Sequence, residues 1–419
     1  MTIQAPKGTK DILPQETPAW RFVERKFADV CRRFGFDEIR IPTFEQTELF
    51  QRSVGDTTDI VQKEMYTFDD KGGRSMTLRP EGTAGVARAY LENGLHNLPS
   101  PAKLFYDITC FRYEKMGKGR YREFHQFGCE VFGSKGPMSD AELIALLYLF
   151  FREIGLREIS LKLNSIGCPK CRPAYLEKLR EFLKPNLDHM CDTCQDRYER
   201  NPMRSLDCKE DSCKAIVKDA PVQLDMLCDE CAAHFEELKA ILDELGLPYE
   251  IDTHIVRGLD YYTKTVFEFV SEHVGTQGTI TGGGRYDGLI AEMGGQDTPA
   301  VGFALGVERL LMELESQGVE LPGEEPPALY IVSFPDTSRQ AAKLCSQVRA
   351  AGLACAMDVM DRSFRAQMKY ADRINARYLA VLGTDEIKSR EFNLRDMKDG
   401  TEEPFNLDKL DEICEHLAK

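Results

Sequence analysis

The chain has 419 residues, 42% hydrophobic and 29% charged, with a formal net charge of −15. This is the composition of a soluble globular protein of roughly two to four domains, at ~100–200 residues each. The acidic balance argues against a wholly basic nucleic-acid binder, and no apolar run approaches the ~18 residues of a membrane span. The opening segment MTIQAPKGTKDILP lacks the apolar core of a signal peptide, so the cytosol is the expected compartment.

Residues 19–34 carry a helical period, with Trp20, Phe22, Val23, Phe27, Val30 and Phe34 on one broad face, and Gly35 stops it. FDEIRIPTFE (36–45) alternates apolar and polar residues and reads as a strand broken at Pro42. MYTFDDKGGRSMTLRPEGTAG (65–85) predicts a hairpin leading into RPEGT, and residues 83–92 predict a helix. KLFYDITCFRYE and EFHQFGCEVFG predict strands flanking a glycine-containing basic loop. A helix over 140–154 follows, with Ser139 or Asp140 as N-cap, and then a strand, ISLKLNSIG (159–167). Residues 168–246 are helical in pattern and charged, and read as an insertion. Strand signals resume with YEIDTHIVRGLDYY (249–262), KTVFEFVSE (264–272) and GTITGGGRYDGLI (278–290); residues 297–317 predict a strand feeding a long helix. Many antiparallel strands with helices among them predict an α+β domain on one large sheet over residues 1–315, interrupted by the 168–246 insertion. SQGVELPGEEPP (316–327) reads as a linker. Beyond it, alternating β and α elements over 328–419, closed by a hairpin and a helix, predict a small α/β domain.

Three arginines in apolar sequence, Arg112, Arg257 and Arg309, are hard to explain by stability alone. A buried guanidinium is costly unless paired, and its planar fork suits carboxylate and phosphate. Neither a GxxxxGK[ST] loop nor a dinucleotide fingerprint is present, so arginines and a metal would grip any nucleotide. Such a platform suits ATP activation of a carboxylate, with charge growing on the α-phosphate and the departing pyrophosphate. From Arg112 to Arg122 five basic residues, including Lys115, Lys118 and Arg120, face one acid, Glu114. A mobile basic hairpin of this kind can lie along RNA phosphates; it can equally be a solvated turn.

Eight of the 14 cysteines fall in the insertion as Cys168/Cys171, Cys191/Cys194, Cys208/Cys213 and Cys228/Cys231. Three CxxC pairs are a ligand signal, because that spacing lets two thiolates meet one tetrahedral ion. Two Cys₄ zinc sites would account for all eight; an iron–sulfur cluster or a set of free thiols remain alternatives, and the pairing is open. Cys31, Cys110, Cys129, Cys345, Cys355 and Cys414 read as buried apolar fillers.

FRYE (111–114), with its basic loop and FHQFGCEVFG, resembles motif 2 of a class II aminoacyl-tRNA synthetase; GFALGVER (302–309) resembles motif 3, and the run around Pro42 resembles motif 1. RGLDYY (257–262) and GGGRYDGL (282–289) look like the two signatures of the histidyl-tRNA synthetase family, and RPEGTAG and GTKDILP fit it too. The resemblance spans nearly the whole chain, with the motifs in the family's order. It implies activation of L-histidine with ATP and Mg²⁺ and transfer to tRNA(His) by a homodimer joined through motif 1. It implies that Arg112 bridges the α-phosphate and the histidine carboxylate, that Glu114 lies near adenine, and that Arg309 holds the γ-phosphate. Arg257 would be the catalytic arginine at the α-phosphate, Glu81, Thr83 and Gln126 would take the ammonium, and Glu130 and Tyr262 would read the imidazole beside Tyr261. Glu81 is also placed to cap the following helix, and Tyr261 and Tyr262, alternating on a strand, would leave one facing core. The 328–419 domain resembles the group's anticodon-binding domain. The rival expectations are a non-catalytic, histidine-binding regulatory paralogue, which typically lacks that domain and the catalytic motif residues, and a metal-dependent nucleic-acid module built on the insertion.

Overall fold

The computed structural model describes residues 3–55, 58, 60–271 and 278–418, so the final residue of the expected 264–272 strand lies outside the described residues. It divides into two compact units, Met1–Pro322 and Gly323–Lys419.

The first unit is built on an eight-stranded sheet. Its order is Asp37–Glu38, Ala102–Phe111, Glu123–Phe132, Ala300–Gly306, Thr279–Arg285, Thr263–Val270, Ser160–Ser165, Glu250–Ile251. Every neighbouring pair is antiparallel except the outermost pair at each edge. Period-2 alternation divides each strand between two cores. Phe127, Cys129 and Val131, with Phe267, Phe269, Val301 and Phe303, meet the helices Thr17–Arg33, Met138–Glu153 and Asp229–Glu244. Phe27 of the first helix stacks on Phe127 with centroids 4.6 Å apart. The even-numbered residues of the same strands, Gln126, Glu130, Glu268 and Gly302, therefore point to the opposite face, where Tyr106, Tyr261, Tyr262 and Tyr286 pack with helix Thr83–Glu92 and the insertion.

A small antiparallel sheet, Phe44–Gln46, Ser75–Leu78 and Thr67–Asp69, contains the expected hairpin. Between Ser160–Ser165 and Glu250–Ile251 the chain makes four α-helices, Arg172–Leu183, Asp192–Arg200, Asp211–Val217 and Asp229–Glu244. The second unit is a five-stranded mixed sheet. Cys355–Met357, Leu329–Ser333 and Tyr378–Leu382 are parallel, and Glu391–Asp396 and Glu402–Asn406 extend it antiparallel.

Three expectations are corrected. The strand read over 249–262 is two residues long, Glu250–Ile251, and 257–262 is irregular chain. Tyr261 and Tyr262 do not alternate there: both are buried, their rings 4.7 Å apart. Neither Ser139 nor Asp140 caps the helix, which begins at Met138 behind Pro137. Both are instead drawn to Arg285: its Nη2 donates to Ser139 Oγ at 2.8 Å and its Nε to Asp140 Oδ2 at 2.9 Å.

Candidate active site

Glu130 lies in the middle of its strand with 0% exposure. Thr83 Oγ1 donates to its Oε1 at 2.7 Å, Tyr106 Oη donates at 3.1 Å, and Tyr286 donates to Oε2. Burial pushes its pKa up to about 8, against the hydrogen bonds from Tyr286 and Thr83. Directly across the ladder stands Gly302. A Cβ there would overlap the Glu130 carboxylate, so the carboxylate occupies the space the glycine leaves.

Glu81 is also buried, and it accepts from the amides of Thr83 and Ala84 at 2.7 and 2.8 Å. It therefore caps helix Thr83–Glu92, and Arg112 lies close enough to act on its charge. Burial raises its pKa, and the two amides and Arg112 oppose the rise. Gln126 Oε1 accepts the Gly82 amide at 3.0 Å, holding the RPEGT turn against the sheet.

None of the three singled-out arginines lies within a strand. Arg112 follows the end of Ala102–Phe111, Arg257 is on the irregular segment, and Arg309 is in the first turn of helix Val307–Ser316. Arg257 donates to Glu268; Thr279 Oγ1 donates to the other Glu268 oxygen at 2.8 Å; Arg309 Nη1 donates to the Thr279 carbonyl at 2.9 Å. Arg257 and Arg309 thus belong to one network, and with Glu268 and Thr279 they line a cavity of about 630 Å³. A Cβ on Gly282, paired with Glu268, would land on the Arg257 guanidinium. Against the cost of burial, Glu268 and Tyr262 raise the pKa of Arg257, so it is a fixed cation. Arg309 is held below its ordinary value by burial and by Arg120, with Arg112 adding to the effect. Arg112 is not part of that lining; its Nε donates to Pro80 O at 2.7 Å and its guanidinium sits 5.3 Å from the Phe124 ring.

In the basic loop Lys115 and Lys118 are exposed, whereas Arg120 is partly covered and 3.9 Å from Glu114. The loop tip rests on the Arg309 helix: a Cβ on Gly119 would meet Met312 Sδ at 3.1 Å and Arg309 Cγ at 3.2 Å. Glu308 accepts the His125 amide at 2.9 Å, tying the same helix to the Glu130 strand.

Sequence reasoning missed Tyr106, Tyr286 and Glu268. Tyr286 lies two residues after the glycine run within GGGRYDGL, and only the pairing of that run with Ala300–Gly306, a feature of the fold, brings it to Glu130. Arg285 of the same signature is structural. It is 0% exposed and spent on Asp140, Asp287, Ser139 and the carbonyls of Ser134 and Gly136. The insertion cysteines gather into two groups, Cys168/Cys171/Cys228/Cys231 and Cys191/Cys194/Cys208/Cys213.

An antiparallel sheet carrying buried carboxylates and outlying arginines on one face is the architecture of a class II aminoacyl-tRNA synthetase core. Residues 8–310 match the family model described as histidyl-tRNA synthetase, and residues 329–417 match an anticodon-binding domain. The chain belongs to the histidyl-tRNA synthetase family. A histidine–tRNA ligase of Acetivibrio thermocellus is 57% identical over 98% of this chain and 99% of its own. One from Caldicellulosiruptor saccharolyticus is 51% identical over 98% of each. The crystal structure of apo S. aureus histidyl-tRNA synthetase superposes with a TM-score of 0.84 at 38% identity, covering 100% of both chains. An ATP phosphoribosyltransferase regulatory subunit/histidyl-tRNA synthetase from Bacillus halodurans matches at a TM-score of 0.69 and 22% identity over 92% of this chain and 99% of its own, a likeness of fold alone.

Proposed function

We propose that this chain is a histidine–tRNA ligase. It joins L-histidine to AMP and then passes the histidyl group to tRNA(His). In the first step a histidine carboxylate oxygen attacks the α-phosphorus of ATP; a mixed anhydride forms and the bond to pyrophosphate breaks. In the second a ribose hydroxyl at the tRNA 3′ end attacks the carbonyl carbon, and AMP leaves. The observation that carries the reading is the shared cavity of Arg257 and Arg309, linked through Glu268 and Thr279.

Arg257 acts as a permanent cation at the α-phosphate, where Glu268 fixes its orientation and no proton can be lost. Arg309 takes the γ-phosphate, Glu114 lies beside the adenine, and Arg112 bridges the α-phosphate and the histidine carboxylate. Mg²⁺ would enter with the nucleotide and supply charge neutralisation at the phosphates. Both Glu268 oxygens are already engaged, by Arg257 and Thr279, so the phosphates themselves and water would supply most of the ion's ligands. Glu81, Thr83 and Gln126 receive the ammonium.

Imidazole is read by Glu130 at the base of the tyrosine cluster, with Tyr262 and Tyr261 beside it. Glu130 already accepts from Thr83, Tyr106 and Tyr286, so a side chain lacking the ring N–H forgoes one further hydrogen bond there, worth about 0.5–1.5 kcal/mol. Lys115, Lys118 and Arg120 extend toward tRNA phosphates, and residues 328–419 read the anticodon region. The working form is a cytoplasmic homodimer joined through the segment around Pro42; among the described residues no helix is long and apolar enough to cross a membrane. Retention of Arg112, Arg257, Arg309 and the anticodon-binding match supports this over a regulatory paralogue. Histidine-dependent exchange of pyrophosphate into ATP, followed by charging of tRNA(His), tests it. No exchange with histidine present would contradict it.

A further inference from the structure

We propose that the insertion holds two separate tetrathiolate zinc ions, one on Cys168, Cys171, Cys228 and Cys231 and one on Cys191, Cys194, Cys208 and Cys213. We infer also that the second ion anchors a wall of the Arg257–Arg309 cavity. Within each group four sulfurs lie within 4.8 Å of one another. The Sγ separations are 3.8 Å for Cys168–Cys171, 3.8 Å for Cys168–Cys228, 3.9 Å for Cys171–Cys231 and 3.8 Å for Cys191–Cys208. A tetrahedron with Zn–S of ~2.3 Å has an S···S edge of about 3.8 Å. A disulfide needs ~2.05 Å. A multi-iron cluster sets its thiolates on different irons, farther apart than one ion's edge. The spacing is that of a single ion.

Two further contacts point the same way. The Cys168 amide donates to Cys171 Sγ at 3.2 Å and the Cys191 amide to Cys213 Sγ at 3.2 Å, the hydrogen bonds that stabilise metal-bound thiolates. Ordinary core cysteines contrast with this: Cys31 and Cys129 form a lone pair of sulfurs 3.5 Å apart, without a third or fourth thiol.

The two ions would do different work. Cys168 and Cys171 follow strand Ser160–Ser165, and Cys228 and Cys231 stand at the start of helix Asp229–Glu244, which packs on the sheet. The first ion therefore fastens both ends of the excursion where it leaves and rejoins the sheet. The second lies inside the excursion, and Cys208 itself, with Leu206, Lys209 and Lys214, lines the cavity shared by Arg257 and Arg309. Between Leu206 and Lys218 the only regular element is the short helix Asp211–Val217. Lys209 is paired with Asp207, and Lys214 with Asp211 at 3.0 Å, so bonds from Cys208 and Cys213 to the ion would hold two lysine–aspartate pairs at this wall of the cavity, from which the lysines can turn to nucleotide phosphates. This last clause rests on the cavity being the ATP site.

The test uses the untagged full chain purified without chelator. Elemental analysis is expected to give two zinc per chain, and a mercurial reagent to release both as eight thiols react. Cys194→Ser/Cys213→Ser is expected to keep one zinc and to lose ATP binding at concentrations that saturate the parent, with histidine binding retained. Cys171→Ser/Cys231→Ser is expected to keep one zinc as well. One zinc or fewer in the parent, or iron in its place, overturns the two-site assignment whether or not the variants fold. Parental ATP affinity in the Cys194→Ser/Cys213→Ser protein overturns the anchoring role. A parent that holds two zinc but shows no exchange overturns the ligase reading and leaves the metal sites standing.

Discussion

Replacing Glu130 with glutamine changes one carboxyl oxygen to an amide and removes one titration. In the parent this carboxyl is 0% exposed and its pKa is raised from 4.5 to about 8, chiefly by burial. A carboxyl whose folded pKa lies above its unfolded one binds more protons when folded. The stability it contributes is complete below pH 4.5, declines as pH rises, and is gone above about 8. The slope approaches ~1.4 kcal/mol per pH unit inside that window, so the whole change is at most about 5 kcal/mol. Glu130→Gln removes this dependence. Its amide cannot accept all three hydroxyls that Thr83, Tyr106 and Tyr286 offer, which costs about 1 kcal/mol at every pH. Urea unfolding of the ligand-free protein should therefore show the variant weaker than the parent at pH 5 and stronger at pH 9. Calorimetry at pH 7, where the parent carboxyl holds its proton, should also show weaker histidine binding, by about 0.5–1.5 kcal/mol for one hydrogen bond between neutral groups. Parallel stability curves from pH 5 to 9 would refute the account of Glu130 as a buried, proton-holding group.

Gly302→Ala places a Cβ in the space of the Glu130 carboxylate, so histidine binding should be lost while ATP binding is kept; equal losses of both would point to unfolding, which circular dichroism checks. Arg285→Met leaves Asp140 buried beside only His234 and should cost ~3–5 kcal/mol in denaturant midpoint, with Asp140→Asn on top recovering part of it. Glu268→Gln removes the charged partner of Arg257 and should lower kcat for pyrophosphate exchange more than it raises the KM for histidine.

Much of this site was legible because its chemistry is local in sequence. Arg112 stands in FRYE and Arg309 in GVER, and helix Thr83–Glu92 has the bounds that its pattern predicts. Period-2 reasoning puts Gln126 and Glu130 on one face with no tertiary information, and the sheet does so. What was not legible depends on register and packing. The alternation in YEIDTHIV imitates a strand, yet the chain from 257 to 262 is irregular and delivers Arg257 over Gly282. Tyr106 reaches Glu130 from strand Ala102–Phe111 and Tyr286 from the chain just past Thr279–Arg285, and nothing in either segment marks the meeting. CxxC spacing pairs neighbouring cysteines, whereas the nesting of one foursome inside the other follows only from how the helices fold back.

The most direct measurement is histidine-dependent ATP–pyrophosphate exchange in Arg257→Ala, with histidine affinity determined on the same sample. A fixed cation at the α-phosphate predicts that exchange is abolished while histidine still binds. Parental exchange in that variant would contradict the claim that Arg257 stabilises the charge of adenylate formation.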